Sequence, residues 1–440
     1  MARAGVNQDS RTRRMQARGK EGRTRILQQM LTLVDERGFE GATIAELARR
    51  TGLPASSVYW HFASKDDIVA AAIRYSYDER YGDRTPWPEE PDDRPLLDQV
   101  VEALGHLEGD GSEADYIRVG LALSLQRRSS APAAREVFLD IRQESKRRLV
   151  TWWRLALGRM ADERPDPRAA EAMSRFTLAV LDGRYLTGRD LTLAPANTRL
   201  LALILIGSAT YFVEGGPLPE DEVTTLSGDR VWTRTDENGR EALVQAAVDV
   251  VCDHGLAGTT VARICERSGL PPSSLYWHFD DLDALLAAAL DSAFERWSAR
   301  MRPWTDTPGA DSCAMLGERL RTAFLNMLEE PAAFRIGFML LLQRGPSEAR
   351  QRFRQIRREV SQGNSEQISG WLGVDPPTMD ITQAATETVP GILAWAMMTL
   401  ADGLFMVETV SPLWPLADAS DAIAAGLDWA MTELVREGLS

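Results

Sequence analysis

The chain has 440 residues, of which 44% are hydrophobic and 26% are charged, and its net charge is −14. This length predicts two to four domains, and the composition is typical of a globular protein that buries a sizeable core. The acidic balance argues against nucleic-acid binding by the chain as a whole. The four histidines and three cysteines lie at no metal-ligand spacing, so we expect neither a metal site nor a cofactor.

From the distribution of apolar residues we expect no targeting signal. The N-terminus is basic but no apolar segment follows it, so a secretory signal is not expected. The apolar run 200–207 is shorter than the roughly 18 residues of a membrane helix, and the run 392–407 contains Asp402. Cysteines without a C-x-x-C pair suit a reducing compartment. We therefore expect a cytoplasmic protein with no membrane partner.

The first element in chain order is a basic arm over residues 1–22, which we expect to be flexible. Residues 11–75 contain twelve Lys or Arg and seven Asp or Glu, a net charge of +5, so the positive charge is concentrated at this end. Such an arm can lie along phosphates or in a minor groove, and a merely solvated tail is the alternative. Its cationic residues, with those at the start of the next helix, are Arg3, Arg11, Arg13, Arg14, Arg18, Lys20, Arg23 and Arg25.

Residues 23–82 predict a small helical domain. A first helix over 24–37 ends at Gly38, and Thr43 with Glu46 forms a capping box that opens a second helix over 44–50. The glycine turn 51–53 then leads into a third short helix, as in a helix-turn-helix.

The third helix carries the candidate DNA-binding residues. Val58 and Phe62 are four apart and can anchor the helix, which leaves Ala55, Ser56, Ser57, Tyr59 and Trp60 available on its outer side. Small and hydroxyl-bearing side chains at a helix N-terminus can approach base edges or phosphates. An aromatic cluster that only packs the domain is the alternative. The candidate residues are Thr43, Ala55, Ser56, Ser57, Tyr59, Trp60, His61 and Lys65.

The whole unit is duplicated. Residues 38–62 and 255–279 align without a gap, and about half of the positions are identical. The offset of 217 persists downstream, where residues 118–120 correspond to 335–337 and residues 126–127 to 343–344. Strand signals are nearly absent and apolar residues follow helical spacing, so the fold class is all-α.

The repeat sets the predicted domain boundaries. A first helical regulatory domain covers 95–214 and a Gly- and Pro-containing linker covers 215–238. A second helix-turn-helix domain covers 239–300 and a second regulatory domain covers 310–440. Large adaptable residues in the regulatory domains are candidates for an apolar ligand cavity, with simple core packing as the alternative for each. They are Arg118, Trp152, Phe176, Tyr185, Phe338, Trp371, Trp395 and Met398.

The first copy resembles a known family. Thr43, Leu47-Ala48, Gly52, Ser57-Val58-Tyr59, His61-Phe62 and Ser64-Lys65 together closely resemble the N-terminal signature of TetR-family transcriptional regulators. The resemblance implies an all-helical dimer whose third helix enters the major groove. It also implies that Tyr59, His61 and Lys65 contact phosphates, and that a small molecule bound in the C-terminal domain releases DNA.

The second copy departs from that signature. Leu282 stands where the first copy has Lys65, Asp281 where it has Ser64, and Arg263 where it has Glu46. Residues 228–292 contain five Lys or Arg and eleven Asp or Glu, a net charge of −6. We therefore expect weak DNA binding or none from this copy. Its candidate residues are Thr260, Pro272, Ser273, Ser274, Tyr276, Trp277 and His278.

These patterns predict a DNA-binding regulator, a repressor released by an apolar effector. The two halves would pack as an intrachain pseudo-dimer through their last two helices, over about 168–186 and 197–214 in one half and 378–407 and 418–436 in the other. Ala55 against Pro272 and Val58 against Leu275 predict non-identical half-sites. If only the first copy reads DNA, two chains would have to associate. A ligand-sensing or partner-binding protein with little DNA affinity is the alternative, and no spacing of catalytic residues indicates an enzyme.

Overall fold

The computed structural model describes residues 3–81, 87–105, 115–161, 165–187, 195–218, 239–301, 312–329, 331–410 and 420–436. The regular elements in these ranges are all α-helices, as expected for the all-α class. Most of the predicted linker, residues 219–238, lies outside the described ranges.

The first half contains a four-helix N-terminal module followed by longer helices. The module ends with α4, and α5–α9 form the regulatory part. In chain order the helices are α1 (Arg3–Gly41), α2 (Ile44–Thr51), α3 (Ala55–His61), α4 (Lys65–Tyr81), α5 (Leu96–Gly105), α6 (Tyr116–Ser124), α7 (Pro132–Met160), α8 (Pro167–Thr187) and α9 (Pro195–Val213).

The second half repeats this order, with one helix more. The extra helix, α17, lies directly before α18. The helices are α10 (Gly239–His254), α11 (Val261–Ser268), α12 (Pro272–His278), α13 (Leu282–Arg300), α14 (Ser312–Glu329), α15 (Pro331–Leu342), α16 (Glu348–Leu372), α17 (Ile381–Glu387), α18 (Val389–Val410) and α19 (Ser420–Arg436). The sequence predicted one helix over 378–407. Thr388 is instead extended and separates α17 from α18, because Pro390 has no N–H to donate in a helix interior and is tolerated in the first turn of a helix.

The N-terminal arm also differs from its prediction. Residues 3–22, expected to be a flexible arm, continue α1 toward the N-terminus as helix. The helix carries no proline in this stretch, and its several Arg, Gln and Ala residues favour helix once the following turns are fixed by packing. Gly38, with φ +69°, interrupts α1 near its C-terminal end, where the sequence predicted the helix to stop.

The two halves meet through their last helices. α8 packs against α18, and α9 packs against α19. A Cβ atom at Gly183 would lie 1.8 Å from the carbonyl oxygen of Thr399, and one at Gly403 would lie 1.8 Å from that of Ala179. These two glycines therefore let the backbones of α8 and α18 touch.

The α9 and α19 pair crosses in the same way. A Cβ at Gly207 would lie 2.9 Å from the Cα of Gly426, and a Cβ at Gly426 would lie 2.4 Å from the carbonyl oxygen of Ile204. Each half thus contributes one small residue to each of two close helix crossings. This reciprocity is what a two-fold-related pair of units requires of an interface.

By length and composition, α9 and α18 could each cross a membrane, which corrects the expectation that no segment is apolar enough. Within the protein, however, 72% and 83% of the residues in their most apolar stretches are buried. Both helices pack against the other half, so their apolarity is that of core helices.

Each N-terminal module is attached to its regulatory part by an aspartate on its fourth helix. The Asp66 carboxylate accepts the backbone N–H groups of Ala133 (2.8 Å) and Ala134 (2.9 Å) at the start of α7. Asp283 corresponds to Asp66 by the offset of 217, and it accepts the hydroxyl of Ser347 at 2.7 Å and the N–H of Glu348 at the start of α16. A carboxylate at a helix N-terminus satisfies otherwise unpaired donors and complements the helix dipole.

The interface between the halves contains a buried ion pair that makes the stability of the protein depend on pH. Burial raises the pKa of Glu408 to about 7, although Arg175 of the other half lies 3.2 Å away. Because the unfolded group titrates near 4.5, folding favours the protonated acid, and stability falls as the pH rises from about 4.5 to about 7. We expect the free energy of unfolding to be about 1 kcal/mol lower at pH 8 than at pH 6.

Urea unfolding at the two pH values, with Glu408→Gln as the comparison, checks this expectation. The variant should lose that part of the pH dependence. An identical pH dependence in both proteins would show that Glu408 keeps an ordinary pKa.

Candidate nucleic-acid interface

In the first module, short helices are fixed by caps and by a few buried side chains. The Thr43 hydroxyl accepts the N–H of Glu46 at 3.2 Å and begins α2, and Gly52, with φ +69°, ends it. The Glu46 carboxylate does not complete the predicted capping box; it binds Arg49 and Arg50. Leu47 and Val58 are completely buried, which fixes α3 against the rest of the module.

α3 turns two large aromatic side chains to the outside. Tyr59 is 57% exposed and Trp60 is 80% exposed, and both belong to the few large hydrophobic residues on the described surface. Ala55 and Ser56 are exposed beside them, and Ser57 is half-buried. We call Ala55, Ser56, Tyr59 and Trp60 the α3 face. It presents small residues at the N-terminus of a helix and aromatic rings further along it.

His61 and Lys65 lie closer to the module than the α3 face. His61 is half-buried, with its ring centroid 4.6 Å from that of Trp60. The Lys65 Nζ donates to the carbonyl oxygen of Phe39 at 2.8 Å and lies 4.0 Å from the centroid of the Phe39 ring. Burial lowers the pKa of Lys65. Lys65 therefore ties α4 to the end of α1 and can offer only its remaining donors to a phosphate.

Two arginines near the end of the predicted arm also pack on the module. The Arg23 guanidinium lies 5.5 Å from the ring centroid of Phe62, just after α3. Arg25 donates to the carbonyl oxygen of Thr51 at 3.4 Å, at the end of α2. The continued helix thus places positive charge next to the helix-turn-helix.

The second module has the same shape despite its substitutions. The Thr260 hydroxyl accepts the N–H of Arg263 at 3.3 Å and begins α11, so the cap survives the loss of the acid. Tyr276 is 60% exposed and Trp277 is 81% exposed on α12, next to the exposed Pro272 and Ser273. Ser274 and His278 are half-buried, as are Ser57 and His61.

The changes around position 281 have a structural role. The Asp281 carboxylate accepts the N–H of Ala284 at 2.8 Å, as the Ser64 hydroxyl accepts that of Asp67 at 3.1 Å, so each caps the following helix. Leu282, in the place of Lys65, adds no cation. The expected difference in half-sites also changes: Val58 and Leu275 are both completely buried and reach no base, which leaves Ala55 against Pro272 as the exposed difference.

The two modules touch each other. A Cβ at Gly38 would lie 2.6 Å from the Cβ of Ala257, so the ends of α1 and α10 are in contact. The buried Asp35 carboxylate binds Arg118 of its own half and Arg344 of the other half, the latter at 2.5 Å. On the other side, Arg127 lies 3.7 Å from both Asp249 and Asp253.

Most of the predicted ligand-cavity residues are core residues. Trp152 packs edge-on against Trp87 and Trp153, and Phe176 stacks on Phe212. The Tyr185 hydroxyl donates to Asp115 at 2.7 Å. Phe338 packs between Phe353 and Phe405, Trp395 is buried, and Trp371 is half-buried.

Of the eight predicted cavity residues, two line the cavities described in the structure. Met398 lines the larger cavity, inside the second half, and Arg118 lines a smaller one between the two modules. The other six residues do not line these two cavities, because size and flexibility alone do not distinguish a wall residue from a core residue. Within the described ranges no group of three His, Cys, Asp or Glu side chains could hold a metal ion.

Two sets of residues have roles in the structure that were not expected from the sequence. Asp66 and Asp283 attach the modules, and Asp35 and Arg344 join the halves. The repeat contained a signal for the first set, because aspartate occurs at both Asp66 and Asp283 although the neighbouring Lys65 is replaced by Leu282. It carried none for Asp35, whose counterpart is Cys252.

Comparison with known proteins agrees with the geometry of the two modules. The family model of bacterial regulatory proteins of the tetR family matches twice, over residues 26–72 and 243–289. The chain is 40% identical to the tetracycline repressor protein class C of Escherichia coli over 53 residues, which are 12% of this chain and 24% of that repressor. It is 24% identical to the HTH-type transcriptional regulator RutR of Escherichia coli (strain K12) over 182 residues, 39% of this chain and 84% of RutR.

A third relative is the HTH-type transcriptional repressor KstR2 of Rhodococcus jostii (strain RHA1), 37% identical over 65 residues, 14% of this chain and 32% of KstR2. Among solved structures, a transcriptional regulator from Rhodococcus sp. Rha1 is similar over 44% of this chain and 97% of that chain, with a TM-score of 0.34 and 18% identity. The two matches to the family model show that both N-terminal modules are of the TetR type, and the chain is a DNA-binding transcriptional regulator built from two tandem copies of a TetR-like unit.

Proposed function

We propose that this regulator is a cytoplasmic repressor that acts as an intrachain pseudo-dimer, whose first module supplies most of the affinity for a double-stranded operator. The α3 face is the observation that carries the proposal. Tyr59 and Trp60 expose large aromatic rings that do not contribute to the core, and exposed apolar surface of this kind marks a binding site. The basic N-terminal region adjoins this module, whereas residues 219–238 before α10 contain only two basic residues, Arg230 and Arg234. A small-molecule effector would release the DNA, and no catalytic step is part of the proposal.

The packing of the halves supports the pseudo-dimer. α8, α9, α18 and α19 form a single interface with reciprocal glycine crossings, so α3 and α12 belong to two halves that are packed together within one chain. Dimeric helix-turn-helix proteins read half-sites about one helical turn, roughly 34–36 Å, apart. The operator we expect has two non-identical half-sites, since α3 begins with Ala55 and α12 with Pro272.

The test compares matched changes in the two modules. Tyr59→Ala with Trp60→Ala should weaken operator binding about tenfold or more, because contacts of this kind contribute about 1–3 kcal/mol each. Tyr276→Ala with Trp277→Ala should have a clearly smaller effect, because the second module carries a net negative charge. These residues suit the test better than Lys65, whose bond to Phe39 would also be lost.

The measurement is a fragment selection followed by footprinting at two salt concentrations, with each variant checked for an unchanged melting temperature. Equal losses from the two double variants would contradict the asymmetry. Absence of salt-dependent DNA binding by the intact protein would contradict the proposal and favour the alternative, a ligand-sensing or partner-binding protein.

A further inference from the structure

The larger described cavity lies in the second half, between α13, α14, α15, α16 and α18. Its volume of about 90 Å³ lies inside a cleft of about 870 Å³ that is partly open to solvent. One wall is aromatic: Trp297 lies 5.6 Å from Phe294 and 5.8 Å from Phe334, measured between ring centroids. The lining also includes Met327, Met397 and Met398. Methionine side chains adapt their shape to different apolar groups.

The corresponding place in the first half is filled by a tyrosine. Tyr116 corresponds to Ala333 by the offset of 217, and both stand near the start of equivalent helices, α6 and α15. The equivalence is visible in the packing, because Gly120 faces Phe138 as Gly337 faces Phe353. The buried Tyr116 ring contacts Tyr77 and Tyr81 at centroid distances of 5.4 and 6.3 Å, whereas Ala333 lines the cavity.

Four charged or amide side chains line the cavity, namely Arg319, Arg357, Asn364 and Asp402, and burial lowers the pKa of Arg319. Arg357 and Asp402 line it as an ion pair, with 2.6 Å between the guanidinium Nη2 and the carboxylate Oδ2. The pair neutralises itself, so it favours a ligand that offers a hydrogen-bonding group over one that brings a further buried charge. The lining therefore suits a mostly apolar molecule with one hydroxyl or carbonyl group.

Helix α15 connects this cavity with the first module. Ala333 and Phe334, near its start, line the cavity, and Arg335 donates to the carbonyl oxygen of Leu125 in the first half at 2.8 Å. Just after its end, Arg344 binds Asp35 of α1. A ligand that displaces α15 therefore also moves the ion pair that holds the first module.

Resting on the proposed function, we propose that the second half alone binds the effector, a mostly uncharged apolar molecule seated against Ala333 and the Arg357–Asp402 pair, and that this ligand acts across the chain on the first module through α15 and the Arg344–Asp35 bond. The two halves therefore have different roles. The first provides the basic DNA-binding module, and the second provides the sensor.

The first experiment measures binding to the cavity without DNA. The probe is N-phenyl-1-naphthylamine, an uncharged apolar dye whose fluorescence increases in apolar surroundings. The intact chain should bind about one probe. Ala333→Tyr, which installs the residue of the first half, should weaken binding at least tenfold, while Ala333→Ser should leave it within about twofold.

Two further variants keep this experiment decisive if Ala333→Tyr folds poorly. Ala401→Leu narrows the same cavity with the residue that the first half has at Leu181, and it should also weaken probe binding. Tyr116→Phe in the first half should not change it. Unchanged binding in a folded Ala333→Tyr or Ala401→Leu protein, or no binding by the intact chain, would overturn the assignment of the cavity.

The second experiment measures the effect of the dye on operator binding. We expect saturating dye to lower the affinity of the intact chain at least fivefold, a typical size for coupling between two sites. Arg344→Ala should keep the dissociation constant of the dye within twofold and reduce its effect on DNA to less than twofold. Arg127→Ala, the matched change at the other module, should keep the effect.

The outcomes separate the two proposals. Dye binding that depends on position 333, together with no DNA binding in any state, would retain the cavity and reject the repressor. DNA binding that the dye does not alter, or that it alters equally in the Arg344→Ala protein, would overturn the route through α15.

Discussion

Replacing Gly183 by leucine should lower the free energy of unfolding by about 3 kcal/mol, since overpacking a close backbone contact typically costs 1–3 kcal/mol and this one is extreme. Even the first carbon of a side chain would lie 1.8 Å from the Thr399 carbonyl oxygen, and that oxygen belongs to the backbone of a buried helix. The neighbouring atoms cannot rotate away, so α8 and α18 would have to separate.

Gly158 provides the matched control for this prediction. It also lies inside a helix, α7, but a Cβ there would have no neighbour within 4 Å. Gly158→Leu should leave stability unchanged or raise it slightly, because leucine favours helix more than glycine does. Urea unfolding of the two variants is the measurement. Similar midpoints for Gly183→Leu and the parent protein would show that the halves do not cross as closely as described.

Arg142→Met should destabilise the protein by about 3–5 kcal/mol, the usual effect of removing one partner from a buried ion pair. The Arg142 guanidinium donates to both carboxylate oxygens of Asp182, at 2.8 and 2.7 Å. Burial already raises the pKa of Asp182, and the arginine opposes this shift. Without the arginine the acid would have to be buried unpaired or take up a proton.

The double variant Arg142→Met, Asp182→Leu is expected to recover much of that loss, because apolar residues of similar volume often replace a buried pair without penalty. Arg94→Ala, at the exposed pair of Arg94 with Asp92, should change the free energy of unfolding by less than about 1 kcal/mol. If Arg142→Met were as mild as Arg94→Ala, the pair would be better solvated than its position indicates.

The local pattern of the sequence was sufficient for the helix-turn-helix modules. Thr43 and Gly52 mark the ends of α2, and the four-residue spacing of Val58 and Phe62 correctly leaves Tyr59 and Trp60 outside. The final helices of the first half also lie within two residues of their predicted positions. These features depend on contacts between near neighbours in the chain, and periodicity and capping report such contacts directly.

Features that depend on long-range packing were not predictable in this way. Lys65 fits a phosphate-binding motif, yet its nearest acceptor is a carbonyl 26 residues away in the chain. Trp152 and Phe338 are large and adaptable, yet they fill the core, while the small Ala333 marks the cavity. A cavity arises where a side chain is short relative to the space around it. That space depends on how closely the neighbouring helices pack, which the sequence of one helix does not show.

The interface between α8, α9, α18 and α19 also has a consequence for synthesis. When the ribosome has completed α9, the helices that will cover the apolar surfaces of α8 and α9 are still more than 170 residues away along the chain. At about 5–20 residues per second, these surfaces stay uncovered for roughly 10–40 s. The apolar surfaces of the first half therefore stay exposed until nearly all of the second half has been synthesised. We expect this protein to depend most on chaperones during that period.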